Sequence, residues 1–295
     1  MEERRLQANG LAFRCLSAGP ASGDLVLLLH GFPEGAESWT PQLERLAAAG
    51  YLAVAPDLRG YGGTDCPEPA DAYRWPRLVA DVEGLITGLG RDRCHLVGHD
   101  WGALVGWSFA SRFPHRLDSW TALSVGHPVA FEDAIRLDED QQRRSTYIGL
   151  LQMAGKAEQV LAEDGFRRLR RMYRTGPKPE AIPEDVIDRW VRGFARPGRL
   201  TAALNYYRVD LGDSSDPAYP PTPHLIKSPT QMIWGDQDPA VGRLGTERTA
   251  AQVEGDYRLV VLEGAGHWLQ FERPEEVSDR IVEWVGAHSG ASARD

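Results

Sequence analysis

The densest chemical signal in the chain is Gly98-His99-Asp100-Trp101-Gly102. An apolar run precedes it and a helix-like segment follows, so it reads as a strand-to-helix turn with a carboxylate at its apex. This is the G-x-Nu-x-G pattern of a nucleophile elbow, with aspartate in the nucleophile's place. The glycines answer a steric need, because side chains flanking a strained apex would meet the neighbouring strand and helix. The positive end of the following helix should favour the ionised carboxylate. An N-capping aspartate on an ordinary turn would explain the pattern if it stood alone, but two further groups lie downstream. QMIWG ends in Asp236-Gln237-Asp238-Pro239, and the last apolar run leads into Glu263-Gly264-Ala265-Gly266-His267. A carboxylate that attacks a saturated carbon displaces a leaving group and becomes an alkyl ester whose carbonyl belongs to the protein. His267, oriented by an acid, can then activate water against that carbonyl. Asp238 is preferred as the orienting acid, with Asp236 as the alternative, since Asp236 suits a role in forming the turn.

The elements that must position these groups follow an alternating plan. Two weakly alternating segments at the amino end predict antiparallel strands, ending near Gly19-Pro20. Short continuous apolar runs at Asp24–His30, Tyr51–Pro56, Cys94–Gly98, Asp118–Val125, Thr230–Trp234 and Arg258–Leu262 suit strands buried on both faces. Helices are predicted behind an N-cap at Thr40-Pro41, over Tyr73–Leu89, over Ala103–Arg112 and over Glu275–Ala287. Strands alternating with helices imply a doubly wound, mostly parallel sheet with helices on both faces. The carboxyl ends of its strands gather at one ligand-binding edge, which is where Asp100, the Asp236–Asp238 turn and His267 fall. From about His127 to Leu225 the buried-strand pattern stops, and helical patterns such as Ala157–Tyr173 and Pro183–Phe194 take over. We therefore expect a core over residues 1–126 and 226–295 with an inserted helical cap over 127–225, closed by the proline-rich segment Asp216–His224. Ser289–Asp295 are small and polar and are expected to fray.

Bulk properties narrow the function. The 295 residues are 42% apolar and 25% charged, ordinary for a globular chain, and the formal net charge is −9. An acidic surface argues against nucleic acid or an anionic membrane as the main partner. The cluster Arg167, Arg168, Arg170, Arg171 and Arg174 has the spacing of a solvated helix face. MEERRLQANG lacks the apolar stretch of a signal peptide, and no run approaches a membrane span. Cys15, Cys66 and Cys94 are too scattered for a disulfide framework or a zinc site. A cytoplasmic protein without metal or other cofactor is expected, and its oligomeric state, a homodimer included, stays open.

Taken together, HGFPE (His30–Glu34), RGYG, GHDWG, GDQD and GHWLQFERPEEV resemble the epoxide hydrolases of the α/β-hydrolase superfamily, over nearly the whole chain and less closely in the cap. The order nucleophile, acid, histidine is that of the superfamily. The resemblance implies an α/β-hydrolase fold, a small-molecule epoxide and water as reactants, and a vicinal diol as product. It implies an oxyanion hole from the backbone N–H groups of Phe32 and Trp101. Pro33 is a candidate for a cis peptide bond. Two cap tyrosines would protonate the departing epoxide oxygen. The first stands five positions before a Gln, which selects Tyr147 in RRSTYIGLLQMAG. The second belongs to an Asn-aromatic-Tyr-Arg pattern, which selects Tyr207 with Tyr206 as the alternative. Ordinary cap packing competes with each role, and Tyr173 and Tyr219 lack such context. Trp101, His127 and Trp268 are expected along the substrate pocket, His127 with a hinge role as the alternative, while His99 is expected to pack beneath the elbow. A haloalkane-type dehalogenase would share the Asp nucleophile. However, one class of those enzymes has Asn where Phe32 stands, and fluoroacetate dehalogenases typically have Arg where Trp101 stands. A non-catalytic ligand receptor on the same fold is the remaining alternative.

Overall fold

The computed structural model describes residues 1–211, 222 and 224–290. Strands β1 (Glu2–Ala8) and β2 (Leu11–Ala18) form a hairpin turned at Asn9-Gly10, where both residues take positive φ. The remaining core elements up to the insertion are β3 (Leu25–Leu29), α1 (Thr40–Ala48), β4 (Leu52–Pro56), α2 (Trp75–Gly88), β5 (Cys94–His99), α3 (Trp101–Arg112) and β6 (Leu117–Leu123). Among the described residues six helices follow before the next strand: α4 (Pro128–Leu137), α5 (Glu139–Arg144), α6 (Thr146–Gln152), α7 (Lys156–Met172), α8 (Glu184–Phe194) and α9 (Arg199–Val209). The core resumes with β7 (Thr230–Gly235), α10 (Arg243–Arg248), β8 (Tyr257–Leu262), α11 (Leu269–Glu272) and α12 (Pro274–His288).

The eight strands form one sheet in the order β1-β2-β4-β3-β5-β6-β7-β8, antiparallel over the first two pairings and parallel over the rest. Strand alternation splits the core into two layers. Leu25, Leu27 and Leu29 face the side covered by α2 and α3, with Leu78, Val82 and Leu85 against them. Val26 and Leu28 face the side covered by α1 and α12, with Leu43, Leu46, Val277 and Ile281. Because β3, β5, β6, β7 and β8 are consecutive neighbours running the same way, the loops after them all emerge along one edge.

Three local expectations change. Thr40 is the first residue of α1 and Trp39 precedes it as the cap. The Thr40 hydroxyl donates back to Glu37 O because residues 36–39 already form a 3₁₀ turn leading into the helix. The helix expected over Tyr73–Leu89 starts at Trp75, after a second such turn. The helix expected over Ala157–Tyr173 is broken inside α7: Glu163–Phe166 leave helical geometry, with φ of 50°, 65° and 64° at Asp164, Gly165 and Phe166. The Asp164-Gly165 pair is a turn signal set within a helical pattern, and here the turn prevails. The proline-rich segment Asp216–His224 and the terminal residues 291–295 lie wholly or mostly outside the described residues.

Candidate active site

Asp100 joins β5 to α3 with φ 51° and ψ −116°, a strained conformation for a residue with a side chain. The turn leaves no room around it. A Cβ on Gly98 would lie 2.4 Å from Gly102 O, one on Gly102 would lie 2.1 Å from Leu29 O, and one on Gly31 would lie 2.4 Å from Asp100 Cβ. The elbow is thus locked between its own helix and the loop after β3. In that loop the Phe32–Pro33 peptide is cis, and the Phe32 N–H donates to Asp100 Oδ1 at 2.7 Å. The carboxylate is buried, and burial raises its pKa against the opposing pull of His267, His99 and the Phe32 and Trp101 amides. The helix end and its amides favour the ionised form as the sequence suggested, but desolvation outweighs them.

Opposite the carboxylate stands His267, on the loop after β8, with Nε2 3.8 Å from Asp100 Oδ2. Its Nδ1 lies 3.0 Å from Asp238 Oδ2 and 3.2 Å from Oδ1. Asp238 is fully buried and held on several sides. The amides of Ala240 and Val241 donate to Oδ1 at 2.8 and 3.0 Å, and the Ser124 hydroxyl donates to Oδ2 at 2.6 Å. Arg144 of α5 donates to the Asp238 carbonyl, tying that helix to this loop. Burial pushes Asp238 up, yet His267 and these donors leave its pKa below the usual carboxylate value. The imidazole feels the converse: burial works against the cation, but Asp238 and Asp100 win and hold its pKa at about 9. Asp236 is only half-buried and caps the next turn by accepting the Gly264 N–H at 2.7 Å, so it does not reach the histidine.

Several supporting residues carried no role in the sequence reading. Ser124, at the end of β6 with φ 67°, sits 3.0 Å from His267 Nδ1 as well as on Asp238. Glu34, the last residue of HGFPE, is buried beneath the elbow with Oε1 2.6 Å from His99 Nδ1, and its Oε2 accepts from Gln270 at 2.9 Å. Burial opposes the Glu34 charge, but His99 brings its pKa down to about 2. His99 Nε2 in turn meets the His267 carbonyl at 2.9 Å, and the two rings lie 4.7 Å apart, tilted at 54°, so His99 packs beneath the elbow and the His267 loop. Glu272 fixes the same loop by accepting the Gly266 and Trp268 amides. A serine at a strand end, or a carboxylate in a loop, has no local signature. The HGFPE motif was the one clue to Glu34.

These groups face a cavity with two lobes. The larger, about 240 Å³, is lined by Phe32, Met172, Thr175, Pro239 and Trp268. The smaller, about 70 Å³, is lined by Trp75, Trp101, Leu104, Val125 and Phe131. Asp100, His267, Tyr147, Tyr207 and Ala240 line both lobes, so the lobes meet at the carboxylate. Tyr147 of α6 and Tyr207 of α9 both present their side chains to this cavity. Burial first, and then the Asp100 charge, raises both phenols above their ordinary pKa, so both stay protonated. The Tyr207 ring packs edge-on against Phe32 at 5.4 Å and Trp101 at 5.1 Å. Tyr206 points the other way, donating to Arg59 O at 3.0 Å and packing on Tyr61 and Tyr73. Tyr173 is occupied as a donor to Pro33 O, and Tyr219 lies outside the described residues.

Of the expected pocket residues, Trp101 and Trp268 line the cavity and His127 does not. His127 precedes α4 with its amide on Thr249 Oγ1 and its ring buried 5.4 Å from Trp107. Packed against Trp107, the imidazole is buried outside both lobes of the cavity.

Comparison with known proteins agrees with this fold. The alpha/beta hydrolase fold family matches residues 24–274. Epoxide hydrolase A of Mycobacterium tuberculosis is 36% identical over 96% of this chain and 97% of its own length. The chain belongs to the epoxide hydrolase family of the α/β-hydrolase superfamily. Another relative, the AB hydrolase superfamily protein YfhM of Bacillus subtilis, is 33% identical over 95% of this chain and 96% of its own. Among solved structures, epoxide hydrolase A from Mycobacterium thermoresistibile superposes with a TM-score of 0.84 at 34% identity, covering 97% of this chain and 98% of that one. As a member of the epoxide hydrolase family, the chain carries the eight-stranded, mostly parallel sheet with helices on both faces that its sequence implied. No helix among the described residues is long and apolar enough to cross a membrane.

Proposed function

We propose that this protein hydrolyses epoxides to vicinal diols through a covalent ester on Asp100, with the catalytic roles following the geometry above. The observation that carries the reading is the placement of one buried carboxylate. Its Oδ1 sits on the Phe32 amide, its Oδ2 faces His267, and two protonated phenols lie across the cavity. The named activity of the 36% identical relative supports the same reaction.

In the first step Asp100 Oδ2 attacks an epoxide carbon, the C–O bond opens, and one of Tyr147 and Tyr207 gives its proton to the leaving oxygen while the other hydrogen-bonds to it. The product is a hydroxyalkyl ester. Esterification removes the Asp100 charge, one of the charges that hold the proton on His267. The imidazole then gives up its proton, which passes to the tyrosinate, and becomes a base. Water then gives a proton to Nε2 and adds to the Asp100 carbonyl carbon. The resulting oxyanion at Oδ1 is held by the Phe32 and Trp101 amides, and such donors are worth roughly 10²–10³ in rate each. On collapse the proton of the added hydroxyl passes to the leaving alkoxide, so the carboxylate is restored, the diol is freed, and His267 is left protonated as at the start. Epoxide and water are consumed and no cofactor enters. The core over residues 1–126 and 226–295 supplies nucleophile, histidine and oxyanion hole, and the cap over 127–225 supplies the proton donors.

The test is turnover of a panel of aryl and aliphatic epoxides by the wild type, Asp100→Ala and His267→Gln. Asp100→Ala should form no diol, and His267→Gln should accumulate the protein mass plus one epoxide. Diol formation by Asp100→Ala, or halide release from haloalkanes in place of diol formation, would overturn the proposal.

A further inference from the structure

A second cavity of about 330 Å³ opens between the Gly60–Gly63 loop and helices α8 and α9. It is separated from the catalytic cavity by Phe32 and Phe194, whose rings are 6.3 Å apart. Its polar lining is divided by charge. On one wall Glu37 and Asp57 are already committed: Arg14 donates to both at 2.9 Å, Ala36 and Gly63 amides reach Asp57, and Arg189 and Trp190 reach Glu37. Glu34, also at this cavity, has its carboxylate turned to His99 and Gln270.

The facing wall carries Arg192, Arg196 and Arg199. Arg192 has no hydrogen bond or ion pair among the described residues. Among the same residues Arg196 donates only to Gly62 O, at 2.9 Å. Arg199 is 8% exposed and yet donates only to the carbonyls of Tyr61 and Thr64. Its burial, reinforced by Arg196, lowers its affinity for the proton, against a smaller opposing pull from Cys66, Tyr73 and Asp57. A buried guanidinium is ordinarily matched by a carboxylate, because carbonyl dipoles repay only part of the cost of removing a full charge from water. In a chain with a net charge of −9, three clustered arginines with no carboxylate paired to any of them among the described residues, the nearby Glu37 and Asp57 being held by Arg14, are not a general surface property.

We infer that this cleft is an anion site distinct from the catalytic cavity, and that it takes a small metabolite bearing a phosphate or carboxylate. The arginine fork presents paired N–H donors matched to two oxygens of either group. The volume lies at the small end of the ligand-pocket range, about 300–1,000 Å³, which suits a small metabolite. The site requires nothing of the epoxide reaction and stands whether or not that reaction is the one catalysed.

Thermal melts and titration calorimetry with inorganic phosphate and with succinate, each against chloride at equal ionic strength, test the site. A saturable response is expected from at least one of the two anions. Phosphate alone would assign a phosphoryl ligand, succinate alone a carboxylate, and both a shared oxyanion site. Arg192→Ala/Arg196→Ala changes only exposed side chains. It should melt like the wild type in chloride and bind the anion at least tenfold more weakly. Asp100→Ala should bind it unchanged, which separates this site from the catalytic cavity. No saturable response to either anion, full binding by the double variant, or loss of binding in Asp100→Ala would overturn the assignment.

Discussion

Replacing His127 by phenylalanine should remove part of the acid sensitivity of the fold. The imidazole is 1% exposed and neither ring nitrogen has a partner among the described residues. Burial is the one influence on its titration, and it lowers the pKa from 6.5 to about 4. The folded state therefore refuses a proton that the unfolded chain accepts once the pH falls below 6.5. The stability held by the neutral ring is present above that pH and is lost progressively as the pH drops toward 4. At pH 5, one and a half pH units below the unfolded value, the loss amounts to roughly 2 kcal/mol, at 1.36 kcal/mol per unit. Urea unfolding of the wild type and His127→Phe at pH 7.5 and pH 5.0 measures it. Titration of His95, lowered to about 4, and of His267, raised to about 9, is common to both proteins and cancels in the difference. So does any constant packing change made by the new ring. The wild type should lose roughly 2 kcal/mol more than the variant over this interval. Parallel losses would show that the ring is hydrated or partnered in solution and refute the argument.

Two predictions concern the reaction directly. Tyr147→Phe and Tyr207→Phe together should slow ester formation by at least about 10²-fold, the worth of one well-placed donor, while the circular dichroism spectrum and melting temperature stay near wild type. Normal single-turnover rates in the double variant would assign the proton to other groups. Ser124→Ala removes the hydroxyl from Asp238 Oδ2. A hydrogen bond to a charged group contributes about 1.5–3 kcal/mol, so hydrolysis of the ester should slow about tenfold or more with KM little changed. An unaltered pH–rate profile and rate would make Ser124 a packing residue.

The parts of the site legible in sequence are those with a local steric or chemical requirement. Gly98 and Gly102 could be read because no other residue fits where each meets backbone at less than 2.5 Å. The core strands could be read because a parallel strand is buried on both faces and leaves an unbroken apolar run. Choices between neighbours were harder. Tyr206 and Tyr207 are adjacent on one helix, about 100° apart around its axis, and only the docking of α9 decides which faces Asp100. Ser124 gained its place from the register that sets β6 beside β7, which no short window of sequence contains. His127 was misplaced for a related reason, since Pro128 marks where the chain leaves the core but not which way the preceding ring points.

The geometry also divides the proposed reaction between the two parts of the chain. Opening the epoxide needs Asp100 from the core and both phenols from the cap. Hydrolysing the ester needs Asp100, His267, Asp238 and the two amides, all from the core. Substitution in α6 or α9 should therefore change which epoxide is opened and at which carbon, while leaving the second step intact. Electrostatics fix the order of the two steps. The resting site holds a buried Asp100 carboxylate beside a His267 whose pKa of about 9 keeps it protonated at neutral pH. A protonated imidazole cannot accept a proton from water, so no base acts until the carboxylate has been esterified. Only then does His267 lose one of the charges that hold its proton, and by then the carbonyl it must help hydrolyse is in place.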